Sequence, residues 1–242
     1  MLLTPYAAGM HGCWPRAFHR RTVFPTVLAL VLCAAMLAGA SQAQEISAAE
    51  KTLFQDDHFR KVAAPQNLRY RYLRQDQAGT GFSDQVVVHV GAKARDGSPA
   101  VSVEFLTGER QLALPGISGA QGNPAVLGFL ERDIGEMKRL TGGSTNYFRK
   151  RIRLALAEAA SVEPVSLSYG GRRLQGSRIA IQPYLDDPMQ DKMRRYVGKR
   201  YVFILSDDIP GAVYQLASVV PGEQKSGAAL IEETMTLEAG SR

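Results

Sequence analysis

Between residues 123 and 159 the apolar residues change period from two to 3.6, twice in succession, and return to two afterwards. That switch limits the possible folds more than any other feature of the chain. Asn123 and Pro124 make a helix start: a capping side chain, then a residue whose missing N–H costs nothing in the first turn. Leu127, Leu130, Ile134 and Met137 recur at helical spacing, widened by Val126 and Phe129. Glu131, Arg132, Asp133, Glu136, Lys138 and Arg139 are assigned to the opposite, solvated side. Gly142-Gly143 ends this helix, and Ser144, Thr145 or Asn146 caps the next. The second helix turns Phe148, Ile152, Ala155, Leu156 and Ala159 inward. Two amphipathic helices with so short a link pack antiparallel as a hairpin.

Period-2 segments lie on both sides of the hairpin. Leu68, Tyr70 and Tyr72 alternate with arginines, Val86, Val88 and Val90 with Val87 and His89, and Val101, Val103 and Phe105 with Ser102 and Glu104. Thr107–Arg110 reads as a turn into a further strand at Gln111–Leu114. After the hairpin, Val165, Leu167 and Tyr169 lead through Gly170-Gly171 into a strand toward Ile179 and Ile181. Tyr201–Leu205, Ala212–Val219 and Ile231–Leu237 follow. Ser47 and Glu50 fit a capping box for a short helix from Ala48 to Arg60 that buries Leu53 and Phe54, and Asp187-Pro188 opens another that Gly198 stops. Strands in blocks with the helices grouped between them predict an α+β fold. The expected architecture is one curved antiparallel sheet, half-barrel-like, with the helical hairpin and the short helices packed on one face.

The first 43 residues give an address. Arg16, Arg20 and Arg21 precede an apolar run from Val27 to Leu37, and small residues follow to Ser41-Gln42-Ala43. These are the three parts of a secretory signal peptide. Cleavage is expected before Gln44, or before Ser41, leaving residues 44–242 as a single periplasmic domain. Two other readings compete. An uncleaved anchor must span on a short stretch that Pro25 interrupts. A lipoprotein must use Cys33, behind Leu32, where that signal wants a small residue.

Loss of the leader removes Cys13, Cys33 and Trp14, and leaves His58 and His89 as the only histidines. A cysteine nucleophile and a cysteine zinc site are thereby excluded from the mature chain. The leader holds three arginines and no acid, so the net charge falls from +6 to +3. That balance does not indicate a nucleic-acid surface. No P-loop, no G-x-S-x-G elbow and no calcium-loop pattern occurs, and no cofactor or metal is called for.

The order of elements, together with the leader, resembles the lipoprotein-carrier-like half-barrels of the bacterial periplasm. The resemblance implies a non-enzymatic carrier or sensor for an apolar or amphipathic ligand, a lipid for example, held between sheet and helices. It carries no motif and therefore no functional residue. Tyr70, Tyr72, Phe105, Tyr169, Tyr201 and Phe203 are candidates to line such a site, with ordinary core as the alternative. Arg149, Lys150 and Arg153, at the start of the second helix, are candidates for an anion or a partner. A second basic run, Lys192, Arg194, Arg195, Lys199 and Arg200, interleaves with Tyr196 and Tyr201, beside Asp186, Asp187 and Asp191. Two alternatives stay open: an envelope protein-interaction module with a filled core, and a hydrolase-like enzyme using His58 or His89 with a carboxylate. Ligand identity and oligomeric state are not determined by the sequence.

Export is testable. When the full chain is expressed in a Gram-negative host, N-terminal sequencing of the periplasmic extract should read from Gln44 or Ser41. Recovery of Met1 or Met10 in the membrane fraction would establish the anchor instead.

Overall fold

The computed structural model describes residues 45–222 and 227–240. The leader and its expected cleavage points, Gln44 and Ser41, fall outside the described residues.

Ser47 and Glu50 form the expected capping box, each side chain accepting the other's amide at 3.1 Å. The helix they start, α1 (Ala48–Glu50), continues only as a wider-wound turn, Lys51–Gln55. It stops short of the expected Arg60 because Asp56 is extended and Asp57 accepts the Phe59 amide at 3.0 Å in a local turn. Next come β1 (Gln66–Asp76), β2 (Phe82–Lys93) and β3 (Pro99–Phe105). The strand expected at Gln111–Leu114 is reduced to one bridge between Leu112 and Phe105. Asp84 accepts the Thr107 hydroxyl and the Arg110 guanidinium, both at 2.9 Å, and this turn bends the chain off the sheet edge. Pairing resumes only at β4 (Ile117–Ser118).

The helical hairpin follows as α2 (Ala125–Thr141) and α3 (Thr145–Glu158). Asn123 Oδ1 accepts the Ala125 amide at 3.1 Å, Gly142 ends α2 at φ 73°, and Ser144 caps α3 by accepting the Tyr147 amide at 3.2 Å. Strands β5 (Ser161–Tyr169) and β6 (Arg172–Ile181) meet at the Gly170-Gly171 turn. A short α4 (Gln190–Met193) precedes β7 (Arg200–Leu205), β8 (Val213–Val220) and β9 (Ile231–Leu237).

All nine strands join one sheet in the order β4-β3-β2-β1-β9-β8-β7-β6-β5, antiparallel throughout. This is an α+β fold with an open sheet. Its first and last long strands, β1 and β9, pair in the middle, so its two edges are the elements that flank the helices. The hairpin therefore carries the chain from edge β4 to edge β5 across one face. The sheet is curved. Tyr169 on edge strand β5 lies within electrostatic reach of Tyr70 in β1, five strands away. In a flat sheet that separation is about 24 Å.

The covered face is a set of cross-strand rows. Tyr72, Met235, Leu216, Phe203 and Ile179 form one, all buried. Against it packs the apolar side of α2, with Val126, Phe129, Leu130, Ile134 and Met137 at most 6% exposed. Gly128 lets the helix approach, since a Cβ there would sit 2.5 Å from the Phe105 ring. The face of α2 differs from the expected one at two positions. Leu127, placed on the inward stripe, is 46% exposed, and Asp133, placed on the solvated side, is 1% exposed. The helix is rotated so that Phe129 and Asp133, one turn apart, both point at the sheet. Ala159, expected inward, lies exposed at the C-cap of α3.

Ile134 and Ile152, 2% and 3% exposed, sit on the facing stripes of α2 and α3. Replacing either with Asp should lower stability by several kcal/mol, because an unpaired charge enters the interior. Lys138→Asp, on an exposed position, should cost well under that. Chemical denaturation of the three variants checks the assignment; equal midpoints would contradict it.

Candidate functional site

The aromatic residues expected to line a ligand site are placed in the core. Tyr70, Tyr72, Phe105, Tyr201 and Phe203 are each no more than 1% exposed, and Tyr169 is half-buried. Tyr72 packs edge-on against Phe105 with ring centres 6.2 Å apart, and tilted against Phe129 at 6.3 Å. None of the six lines a described cavity.

One row beyond the apolar row, the covered face turns polar. Arg74, Glu233, Ser218 and Tyr201 align across β1, β9, β8 and β7. Above them α2 presents Arg132, Asp133 and Glu136. Glu233 Oε1 accepts from Arg74 at 2.8 Å and from Arg132 at 2.6 Å, and Arg74 also reaches Glu136 at 3.3 Å. Arg139 holds Glu136 through two bonds of 2.8 Å, which keeps that carboxyl below its ordinary pKa. Asp133 accepts from Lys199, from the Tyr201 hydroxyl and from Ser218 Oγ at 3.2 Å. Tyr184 meets Tyr201 at 3.2 Å, and burial raises both phenols' pKa values, with Asp133 adding to the effect. Each acid in this cluster has a cation beside it, and the interior of the cluster is closed to solvent. Its chemistry is to lock α2 onto the sheet.

His58 and Asn123 form a second buried node. His58 Nε2 donates to the Thr52 carbonyl at 2.8 Å, and Nδ1 accepts the Asn123 amide at 2.9 Å. Only the neutral ring can do both. Asn123 Nδ2 in turn donates to the Tyr70 hydroxyl at 2.9 Å and to the Gly211 carbonyl at 3.0 Å. His58 thus ties the segment after α1 to the start of α2, and both its nitrogens are occupied. His89 lies on the uncovered sheet face, bonded through Nδ1 to Asn67 at 2.8 Å. Asp187 does not pair with the second basic run. It is buried against Arg151 at 2.9 Å and accepts the Tyr147 hydroxyl.

The expected basic site at α3 borders an open apolar groove. Phe54, Leu127, Leu130, Ile134, Ile152 and Leu156 line about 330 Å³ on the outer side of the helices, between α1, α2 and α3. Phe54 and Leu127 also line a neighbouring hollow of about 460 Å³ with Ile117. Arg149 is clamped by Glu131 at 2.7 and 2.6 Å. Arg153 shares the groove and, like Lys150, has no side-chain partner among the described residues. The fold therefore brings Arg149 and Arg153 to one site, with one of them already neutralised. Among the described residues no group of three or more His, Cys, Asp or Glu is placed to hold a metal ion, and no helix is long and apolar enough to cross a membrane.

No protein-family model matches the chain, and no curated protein matches it. Among solved structures, the crystal structure of the Mycobacterium tuberculosis lipoprotein LppX matches with 8% identity and a TM-score of 0.29. The match covers 72% of this chain and 86% of that one. It is a weak structural likeness and identifies no relative.

The His58 node sets a pH dependence. Burial lowers the His58 pKa below 6.5, against the pull of the Thr52 carbonyl and of Asp56, Asp207 and Asp57. Above pH 6.5 the ring is neutral both folded and unfolded, and its contribution is fully present. Below that the unfolded chain binds the proton first, so stability falls by up to about 1.4 kcal/mol per pH unit until the folded pKa is passed. Urea midpoints between pH 7.5 and 5 should show this slope. His58→Gln, which can make the same two bonds without titrating, should remove it. The same slope in both proteins would contradict the assignment.

Proposed function

We propose that this chain is an exported, non-enzymatic binding protein of the bacterial periplasm whose ligand is an anionic amphiphile, such as a lipid. The apolar chain of the ligand lies in the groove between α1, α2 and α3, and its anionic end meets Arg153 and Lys150. The observation that carries this reading is Leu127, a large apolar side chain 46% exposed in the first turn of α2, at the seam of two hollows. The rim chemistry supports the sign of the ligand. Glu131 is paired with Arg149 and Glu50 is held by the Ser47 amide and hydroxyl, while the Arg153 guanidinium has no side-chain partner among the described residues and is free to meet an anion. The leader supports the compartment.

The burial of the core aromatics also supports the protein-interaction reading, since buried aromatics with an outward apolar strip are what a docking module presents. One experiment separates them. The wild-type protein should float with phosphatidylglycerol vesicles, less so as salt rises. Leu127→Asp should abolish flotation, and Arg153→Gln should weaken it about tenfold, the worth of one charge-assisted contact. No flotation by the wild type would overturn the lipid ligand and leave the docking module.

A further inference from the structure

The second basic run is divided by the fold. Lys199 is drawn into the core by Asp133, and Arg200 begins β7. The remaining three cations, Lys192, Arg194 and Arg195, line one cleft of about 650 Å³. Its floor is the buried pair Met193 and Tyr196, and its far wall is Leu140 and Thr141 at the end of α2. Asp191 is the one carboxylate on its lining. None of the three cations has a carboxylate partner among the described residues; the Arg195 guanidinium lies over the Tyr196 ring at 5.7 Å.

Arg194 is held at φ 50°, ψ −124°. That region is unfavourable for any residue with a Cβ and natural for glycine. A turn that needed only its backbone would be better served by glycine, so the arginine side chain must supply something that offsets the strain. Complementing the negative end of α2 does not require it. Lys138 and Arg139 already stand in the last turn of that helix, whose terminus is equivalent to about half a unit charge. Three further cations around a concave space exceed that need.

We propose that this cleft is an anion site for a phosphate group, with Arg194, Arg195 and Lys192 as its ligands. Guanidinium groups suit phosphate because they present paired donors in one plane. The site is separate from the groove at Leu127, about 20 Å along α2 from Thr141, and does not rest on the reading given for that groove.

Pyrophosphate is the probe, followed by calorimetry at constant ionic strength. The wild type should bind it, and Lys192→Gln/Arg195→Gln should weaken binding at least about tenfold. Arg194→Gly carries the sharper readout. It should weaken binding and at the same time raise the melting temperature by about 2–4 °C, because glycine relieves the backbone. Arg173→Gln, an exposed arginine at the far β5–β6 turn, is the control and should bind as the wild type does. Flotation with phosphatidic-acid vesicles, lost in the Lys192/Arg195 double variant, would make the phosphate a headgroup; pyrophosphate binding without such flotation would make it a free anion. The proposal is overturned if the wild type binds neither probe. It is equally overturned if the cleft variants bind as the wild type does, or if Arg173→Gln weakens binding as much as they do.

Discussion

The Asp133 carboxylate, taken out of water beneath α2, is the constraint on which the rest of the structure depends. A buried carboxylate without partners costs several kcal/mol, so the helix can sit only where Lys199, Tyr201 and Ser218 meet it. Two of these come from β7 and β8, and Lys199 from the residue just before β7. Arg132, the residue before Asp133, and Glu136, three residues after it, reach Glu233 and Arg74 on β9 and β1. The two clusters clamp α2 across the middle of the sheet. A slip of the helix by one turn, which apolar contacts alone tolerate, would strand charges on both sides. The value of these ion pairs lies in choosing one register, since apolar residues of equal volume could supply comparable stability.

The topology explains why one face of the sheet is buried. Because β1 and β9 pair at the centre, the chain must travel from edge β4 to edge β5, and it does so through the hairpin on the covered face. The curvature of the sheet then wraps the strands around α2. Phe105, Phe129 and the Tyr72 ring meet in the space that a half-barrel could have left open, and Gly128 permits that approach. Surfaces able to receive a ligand are displaced to the outer side of the helices and to the cleft after α4. The groove at Leu127 and Arg153 lies on helices whose inner sides are buried.

Much of the fold was legible because periodicity reports burial one element at a time. The capping box at Ser47 and Glu50, the hairpin, the Gly170-Gly171 turn and eight of the nine described strands follow from local spacing. The strand expected at Gln111–Leu114 failed because Asp84, some 25 residues earlier, closes the preceding turn, and no local pattern registers such a contact. The polar row was partly legible. Arg74 is in phase with Leu68, Tyr70 and Tyr72, Glu233 with Met235 and Leu237, and Ser218 with Leu216 and Val220, so each falls on the inward phase of its strand. What could not be seen is that the three share a row, since that requires the register of β1, β9 and β8.

By itself the sequence determined the α+β class and the apolar side of each helix to within one residue, and it carries the expectation of an export signal. These depend on composition and on neighbours no more than four positions apart. Only the tertiary structure decided that Asp133 faces inward and Leu127 outward, that five of the six candidate aromatics are fully buried, and that the basic run splits between a buried lysine and an open cleft. The physical reason is that rotating a helix by one residue costs little locally. It is settled only when distant groups, here Lys199 and Tyr201 on one side and Phe105 on the other, compete for the same face.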